Sequence, residues 1–159
     1  MKNYSYENVK LKSGYLFEKQ ELNRNVTIDA VYDRFFETGR ISAFDCQYDP
    51  EVEGSIKPHI YWDSDVAKWI EGVAYILKYH PEMTELERKA DSIIEKIKEH
   101  QREDGYFNSY YLVCDQEKIF TVRGYHELYC AGHLMEAAVA YAQATGKRTL
   151  LDCMEKYAC

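Results

Sequence analysis

Apolar residues recur at helical spacing along most of the chain, with polar residues between them. This spacing predicts helices over 17–39, 63–80, 84 to about 103, 125–145 and from 149 onward. Two apolar stripes are the clearest, and they comprise Val66, Trp69, Ile70, Val73, Ile76 and Leu77 in one helix, then Leu86, Ala90, Ile93, Ile94 and Ile97 in the next. No βαβ rhythm or series of hairpin turns interrupts this pattern, so the predicted fold class is all-α.

Glycine and proline mark where the predicted helices end. Gly39 closes the first helix, Pro81 stops the second, and Gly146 is the expected C-cap of the fourth. Residues 1–16 and 40–62 lack a helical stripe, so we expect both segments to be irregular.

Polar residues also mark where two of the helices begin. Asp63 or Ser64 is the expected N-cap of the second helix, and Thr84 with Glu87 forms a capping-box pattern at the third. Short turns join the helices in pairs, and a longer aromatic loop around 104–113 separates the pairs. The prediction is therefore an array of antiparallel helical hairpins.

Composition narrows the function classes. The 159 residues carry a net charge of −7 and no basic run, which argues against binding to nucleic acid or to an anionic membrane. We expect neither a signal peptide nor a transmembrane helix, because no apolar segment has the required pattern. Five cysteines without a C-x-x-C pair predict reduced thiols in a cytoplasmic protein. The fifteen tyrosines suit carbohydrate stacking as well as ordinary packing.

The stretch YHELYCAGHL concentrates candidate chemistry. On a helix, His126, Cys130 and His133 would share one face, with Glu127 one step round. Three interpretations are open: a zinc site related to H-E-x-x-H, a Cys130–His126 nucleophile pair, or packing. The packing interpretation explains the small residues around Gly132, which would let a neighbouring helix approach closely.

A second group of candidates lies at the start of the predicted helix 63–80. Asp63 and Asp65 could cap that helix, or they could supply carboxyl groups for glycoside hydrolysis. Trp62 and the tyrosines of 106–111 could form the floor of a sugar site, whereas Trp69 belongs to the apolar stripe and is expected in the core. Composition and spacing alone therefore indicate a soluble all-helical domain with aromatic loops.

Three stretches carry a more specific pattern: WDSDVAKWIEGVAYIL, QREDGYFNSYY, and HELYCAGHLMEAAVAYAQATGKRTLLD. In this order they resemble the N-terminal part of glycoside hydrolase family 127, and residues 21–41 resemble that family's opening helix. The family includes β-L-arabinofuranosidases and belongs to the six-hairpin glycosidases. The resemblance implies a partial (α/α)6 barrel and a carbohydrate partner of the L-arabinofuranoside type.

The resemblance also implies roles for particular residues. His126 opens the H-E-L-Y block and would line the sugar subsite, where a neutral imidazole can donate and accept hydrogen bonds. His133 would support the fold, and Cys130 stands where the family needs no cysteine. Further substrate-binding candidates around His126 are Trp62, Asp63, Asp65 and Tyr125.

The family's reaction, as the resemblance implies it, uses a zinc-bound cysteine thiolate as nucleophile and a Glu acid/base. Those groups lie downstream of the matching segment, and none of the five cysteines corresponds to them. We therefore expect residues 1–159 to form a single incomplete domain with no catalytic residue and no metal ligand, and to self-associate through exposed barrel helices. The alternatives are a non-catalytic helical module that binds carbohydrate or a partner chain, and a truncated gene product.

Overall fold

The computed structural model describes residues 9–159, and this part of the chain contains no β-strand. Six α-helices follow one another, with a π-helical turn at Asn23–Thr27 joining the first two. The helices are α1 (Tyr15–Leu22), α2 (Ile28–Glu37), α3 (Trp62–Leu77), α4 (Thr84–His100), α5 (Glu127–Thr145) and α6 (Thr149–Ala158). The all-α prediction is confirmed. Of the segment 1–16 that was predicted to be irregular, residues 1–8 lie outside the described part of the chain.

Helices α3 and α5 lie side by side and run in the same direction. Near their starts, the Lys68 ammonium donates to the Tyr129 hydroxyl at 2.9 Å. Near their ends, the Lys78 ammonium donates to the carbonyl of Gln143 at 3.3 Å. The N-terminal ends of α3 and α5 therefore meet at one edge of the molecule.

Helices α4 and α6 form a second parallel pair behind the first. The Lys147 ammonium, just before α6, lies 2.6 Å from the Asp91 carboxylate in the first half of α4. At the other end, the Lys156 ammonium donates to the carbonyl of Arg102 at 3.2 Å. Short turns link α3 to α4 and α5 to α6, so the expected antiparallel hairpins are confirmed.

The core lies between these two layers. Every member of both predicted apolar stripes is buried, and α5 adds Leu134, Ala137, Ala138 and Tyr141. Trp69 is in the core as predicted, and its indole N–H donates to the carbonyl of Ile28 at 2.9 Å, which ties α3 to α2. Helices α3 to α6 each bury one face, whereas α1 has no buried residue, so apolar burial rather than intrinsic propensity holds these four helices together.

The predicted N-caps are wrong. Helix α3 begins at Trp62 with Tyr61 as its N-cap, and α4 begins at Thr84 with Met83 as its N-cap, in both cases without a capping side chain. Ser64 instead donates its hydroxyl to the carbonyl of Tyr61 at 2.8 Å. Asp63 is buried, and its carboxylate accepts hydrogen bonds from Ser109 in a distant loop rather than from its own helix.

Glycine has two different uses in this fold. Gly146 is the left-handed C-cap of α5, as predicted, and a Cβ there would meet no atom within 4 Å. At Gly105 (φ +88°) a Cβ would lie 2.3 Å from the carbonyl oxygen of Lys156, because the loop crosses directly over α6. The close helix contact predicted at Gly132 is wrong, since a Cβ there would also meet nothing within 4 Å.

No helix between residues 9 and 159 combines the length and the apolar character that a membrane crossing requires.

Candidate functional site

A cleft of about 500 Å³ opens at the edge where α3 and α5 begin. Its walls come from the segment leading into α5 and from the first turn of that helix. The lining residues are Phe120, Thr121, Val122, Arg123, His126, Glu127, Leu128 and Tyr129. His126, the main sequence candidate, is therefore part of the cleft.

His126 lies immediately before α5 rather than on its surface. Its backbone is left-handed, with φ 59° and ψ 27°, and α5 begins at the next residue. The predicted shared helix face of His126, Cys130 and His133 is therefore wrong, because His126 does not have helical geometry. The left-handed turn leaves the His126 side chain exposed at the cleft.

Two tyrosine rings frame the His126 imidazole. The ring of Tyr61, from the end of the loop before α3, lies 4.8 Å away, and that of Tyr129, from the first turn of α5, lies 5.7 Å away. Both contacts are edge-to-face, which restricts the orientation of the imidazole plane. Among the described residues, none hydrogen-bonds to the imidazole nitrogens. An exposed imidazole with both nitrogens available can bind vicinal hydroxyls.

Glu127, the neighbour of His126, is buried. One oxygen of its carboxylate accepts the Tyr106 hydroxyl at 2.6 Å, and the other accepts the backbone N–H of Phe120 at 2.8 Å. Burial and the hydrogen bond to Glu127 raise the pKa of Tyr106, so this phenol remains a donor. The carboxylate thus joins the aromatic loop to the wall of the cleft.

Asp63 is also buried, and it holds the same aromatic loop at a different point. Its carboxylate accepts the backbone N–H of Ser109 at 2.8 Å and, on its other oxygen, the Ser109 hydroxyl. Burial raises the pKa of Asp63 to about 6, although both bonds from Ser109 oppose the rise. With 2% of its surface exposed, Asp63 is inaccessible to a ligand in the cleft.

Trp62 and Asp65 belong to a separate cluster around Arg40. The Arg40 guanidinium donates to the Asp65 carboxylate at 3.1 Å and lies 5.3 Å from the centre of the Trp62 ring. Trp62 is the first residue of α3 and half-buried, rather than open in a loop as predicted. Neither side chain lines the cleft at His126.

Tyr125 is exposed at the end of a 3₁₀ turn, Arg123–Tyr125, directly before His126. Its neighbours in sequence line the cleft, so of the four additional candidates it lies nearest to His126 along the chain.

Comparison with known proteins agrees with this architecture. The sequence profile described as the β-L-arabinofuranosidase, GH127 catalytic domain, matches residues 8–159. The chain belongs to glycoside hydrolase family 127. A curated relative, the non-reducing end β-L-arabinofuranosidase of Bifidobacterium longum subsp. longum, is 36% identical over 113 residues, which are 68% of this chain and 17% of the relative.

Two solved GH127 structures share the fold. A β-L-arabinofuranosidase from Geobacillus stearothermophilus T6 superposes with a TM-score of 0.84 at 40% identity, over 95% of this chain and 25% of that protein. A second GH127 β-arabinofuranosidase superposes with a TM-score of 0.84 at 30% sequence identity, and the match covers 96% of this chain and 25% of the chain of that enzyme. This chain thus spans about a quarter of the solved relatives' length.

The cysteines of this GH127 chain do not fit a zinc site. Across residues 9–159, no three His, Cys, Asp or Glu side chains are close enough together to hold a metal ion. The Cys130 thiol is buried and donates to the carbonyl of Ile60 at 3.3 Å, as the packing interpretation of the YHELYCAGHL stretch expects. Because His126 precedes α5, its spacing to Cys130 does not form the helical ligand pair on which the zinc interpretation depends.

The tyrosines expected to form a sugar floor are not at the cleft surface. Tyr106 and Tyr111 are buried, and Tyr61 and Tyr129 take their place beside His126. Tyr129 lies within the H-E-L-Y block, three positions after His126. This spacing, which places side chains near each other on a helix, could have predicted the contact between the two rings. Tyr61 gave no such signal, because its contact with His126 depends on how α3 packs against α5.

Proposed function

We propose that this chain supplies part of the sugar-binding subsite of a GH127 glycosidase acting on L-arabinofuranoside-type substrates. The observation that carries the proposal is His126, which is exposed in the cleft and is framed by Tyr61 and Tyr129. An imidazole can hydrogen-bond to the vicinal hydroxyls of a furanose while tyrosine rings contact its apolar face. The family and the names of the solved relatives support the substrate class.

Tyr125 is a second proposed contact, because it directly precedes His126 and is exposed. Asp63 and Asp65 are proposed to act indirectly. Asp63 holds the aromatic loop, whereas Asp65, with Trp62, anchors Arg40 outside the cleft.

The proposal also concerns what the whole enzyme contains. We infer that residues 1–159 are the N-terminal part of an (α/α)6 catalytic domain, since they align with a quarter of each solved relative. The zinc, the cysteine nucleophile and the Glu acid/base implied by the family would come from other parts of that domain. A cytoplasmic location is proposed for the same protein, because its five cysteines are all free thiols.

Because the proposed catalytic groups lie in other parts of the domain, we predict that the chain alone does not hydrolyse glycosides. The cysteine nucleophile and the Glu acid/base that the family implies are expected elsewhere in the domain, and the two buried carboxylates, Asp63 and Glu127, accept hydrogen bonds from neighbouring groups. Zinc-loaded, purified chain should therefore release no phenol from an aryl β-L-arabinofuranoside. Turnover that follows the chain through purification would contradict the prediction.

The sugar contact is tested with His126→Asn. Asparagine tolerates a left-handed backbone better than most residues, so the variant should fold while losing the imidazole. Binding of methyl β-L-arabinofuranoside, measured by nuclear magnetic resonance titration, should weaken by about tenfold, which corresponds to about 1.4 kcal/mol.

The matched control is His100→Asn, which removes an imidazole at the far end of α4, where the ring bonds to the carbonyl of Lys96. This control should bind the sugar like the unaltered chain. Equal affinity of all three proteins would remove His126 from the site. If all three proteins fail to bind the sugar, the alternatives of a partner-binding module or a truncated product gain support.

A further inference from the structure

The segment that forms the cleft wall is strained at both ends. We define the cleft wall as residues 120–126. Its first residue, Phe120, has φ 57°, and its last, His126, has φ 59°. Neither is glycine, and a left-handed backbone at such residues persists only where neighbouring groups hold it. Something in the structure must therefore hold the cleft wall in place.

The Glu127 side chain makes the connection that does so. It accepts the backbone N–H of Phe120 at 2.8 Å, at one end of the cleft wall. Its own backbone directly follows His126, at the other end. The side-chain bond therefore closes residues 120–127 into a covalent and hydrogen-bonded loop. This closure restricts the backbone at both strained positions, Phe120 and His126.

The Glu127 carboxylate is itself anchored from below. Tyr106 donates its hydroxyl to the second carboxylate oxygen at 2.6 Å. The Tyr106 ring lies 5.4 Å from that of Phe120 and 5.5 Å from that of Tyr157 in α6. The loop of residues 120–127, closed by the Glu127–Phe120 bond, is thus attached to the aromatic loop through Tyr106. Through the contact of Tyr106 with Tyr157, it is also attached to the second helix layer.

The chemistry of this contact requires two acceptor sites. Phe120 donates a backbone N–H and Tyr106 donates its hydroxyl, and a carboxylate accepts both without presenting a donor of its own. Glutamine could keep both bonds, because its carbonyl can accept from Phe120 while its NH₂ donates to the Tyr106 oxygen. Methionine is of similar length but lacks the acceptor oxygens, so it would leave the Phe120 N–H unpaired in a buried place. Glu127 is 5% exposed, so water cannot readily replace the lost acceptor.

We propose that Glu127 is a positioning residue that holds the cleft wall so that the His126 imidazole is presented to the sugar. Glu127 does not touch the sugar; it acts through Phe120 at one end of the wall and through His126 at the other. The inference rests on the proposed function for the affinity part of its test, while its structural part is measured without a ligand.

The test compares Glu127→Met with a matched control, Glu85→Met. Glu85 is also an acid in the first turn of a helix, α4, but it is exposed and pairs with Arg88. Both variants lose the same charge near a helix N-terminus, and only one loses the bonds to Phe120 and Tyr106. Three quantities are measured in the full chain: amide hydrogen exchange, Overhauser contacts between the His126 and Tyr61 rings, and the affinity for methyl β-L-arabinofuranoside.

In Glu127→Met, exchange of the Phe120 amide should rise by about tenfold or more while the amides of α4 keep their protection. The His126–Tyr61 contact should weaken, and sugar binding should fall by about fivefold although His126 is still present. Glu85→Met should change none of these. Unchanged exchange at Phe120, or faster exchange with unchanged sugar affinity, would overturn the inference.

Two other results are possible: the Glu127 variant does not fold, or the unaltered chain does not bind the sugar. If Glu127→Met loses its helical circular dichroism, Tyr106→Phe decides the matter, since it removes one donor and leaves the carboxylate in place. Faster Phe120 exchange in that variant supports the inference, and unchanged exchange overturns it. If the unaltered chain binds no arabinofuranoside, the proposed function fails, and the exchange and Overhauser data then decide whether Glu127 positions His126.

Discussion

Adjacent residues at the start of α5 have opposite environments. His126 is exposed in the cleft, and Glu127 is buried beneath it. The left-handed backbone at His126 produces this difference, because it turns one side chain outward just before the helix directs the next one inward. The ligand-facing group and its support therefore come from consecutive positions.

A second buried carboxylate gives a pH prediction at the residue scale. Burial raises the pKa of Asp63 to about 6, above the value of about 4 expected in an unfolded chain. Folding therefore favours the protonated form. The stability that this group contributes is complete below about pH 4 and is lost as the pH rises through about 6.

The variant Asp63→Asn should remove this pH dependence, because its amide can both accept from the Ser109 N–H and donate to the Ser109 hydroxyl. Between about pH 4 and 7, the free energy of unfolding of the unaltered chain should fall relative to Asp63→Asn by about 3 kcal/mol. Urea unfolding of both proteins across this range measures the difference. Parallel stability curves would show that Asp63 titrates normally.

The environment of some single residues could be predicted from the sequence, whereas that of others depends on partners far away along the chain. The prediction that Trp69 is in the core follows from its place on an apolar stripe and is confirmed, and His126 stands out in the sequence because it opens a family-specific block. Asp63 was assigned to its own helix start because a cap and a buried acceptor use the same residue type. Its partner, Ser109, lies 46 positions away. Only the folded chain shows which donor reaches such a carboxylate.

At the scale of elements, the loop carrying Gly105 is fixed by its crossing over α6. Gly105→Ala combines backbone strain at φ +88° with a clash against the Lys156 carbonyl oxygen, so we expect a loss of about 3 kcal/mol in unfolding free energy.

Gly146→Ala is the matched control, because its φ is +77° and a Cβ there has open space. It should lose only about 1 kcal/mol, the cost of the left-handed backbone alone. Urea unfolding of both variants gives the two losses. Equal losses would mean that the loop shifts away from α6 without cost.

Helices were the easiest elements to predict, since their stripes record which face is buried. Helices α3 and α4 are recognisable from Val66 to Ile97 on that basis alone. The starts were less predictable, because Tyr61 and Met83 are not typical N-caps. In both places burial of the following face, rather than a capping side chain, determines where the helix begins.

At the scale of the whole molecule, the exposed side of the α3–α5 layer carries apolar side chains among the polar Glu71, Glu136 and Gln143. A groove of about 420 Å³ lies along it, lined in part by Tyr75, Met135 and Val139, and Val139 is 47% exposed. Apolar surface of this kind favours association. We expect a second copy of the chain to cover it, so the chain should form concentration-dependent oligomers.

Val139→Lys should weaken this association by about tenfold, because it places a charge in the apolar contact. Val52→Lys is the control, since Val52 is similarly exposed but lies in the loop before α3. Sedimentation velocity at several concentrations separates the outcomes. A monomer at every concentration in the unaltered chain would rule out the groove as a self-association surface.

The parallel packing of α3 against α5 has a consequence for the order of folding. Tyr61 and His126 touch although 64 residues separate them, whereas each antiparallel hairpin closes over a short turn. Local contacts form faster than distant ones, so the two hairpins should assemble first and dock afterwards. The Tyr61 ring, from one hairpin, meets the His126 imidazole, from the other, only after this docking. In refolding, the Tyr61–His126 contact would therefore form only after most of the helical signal has returned.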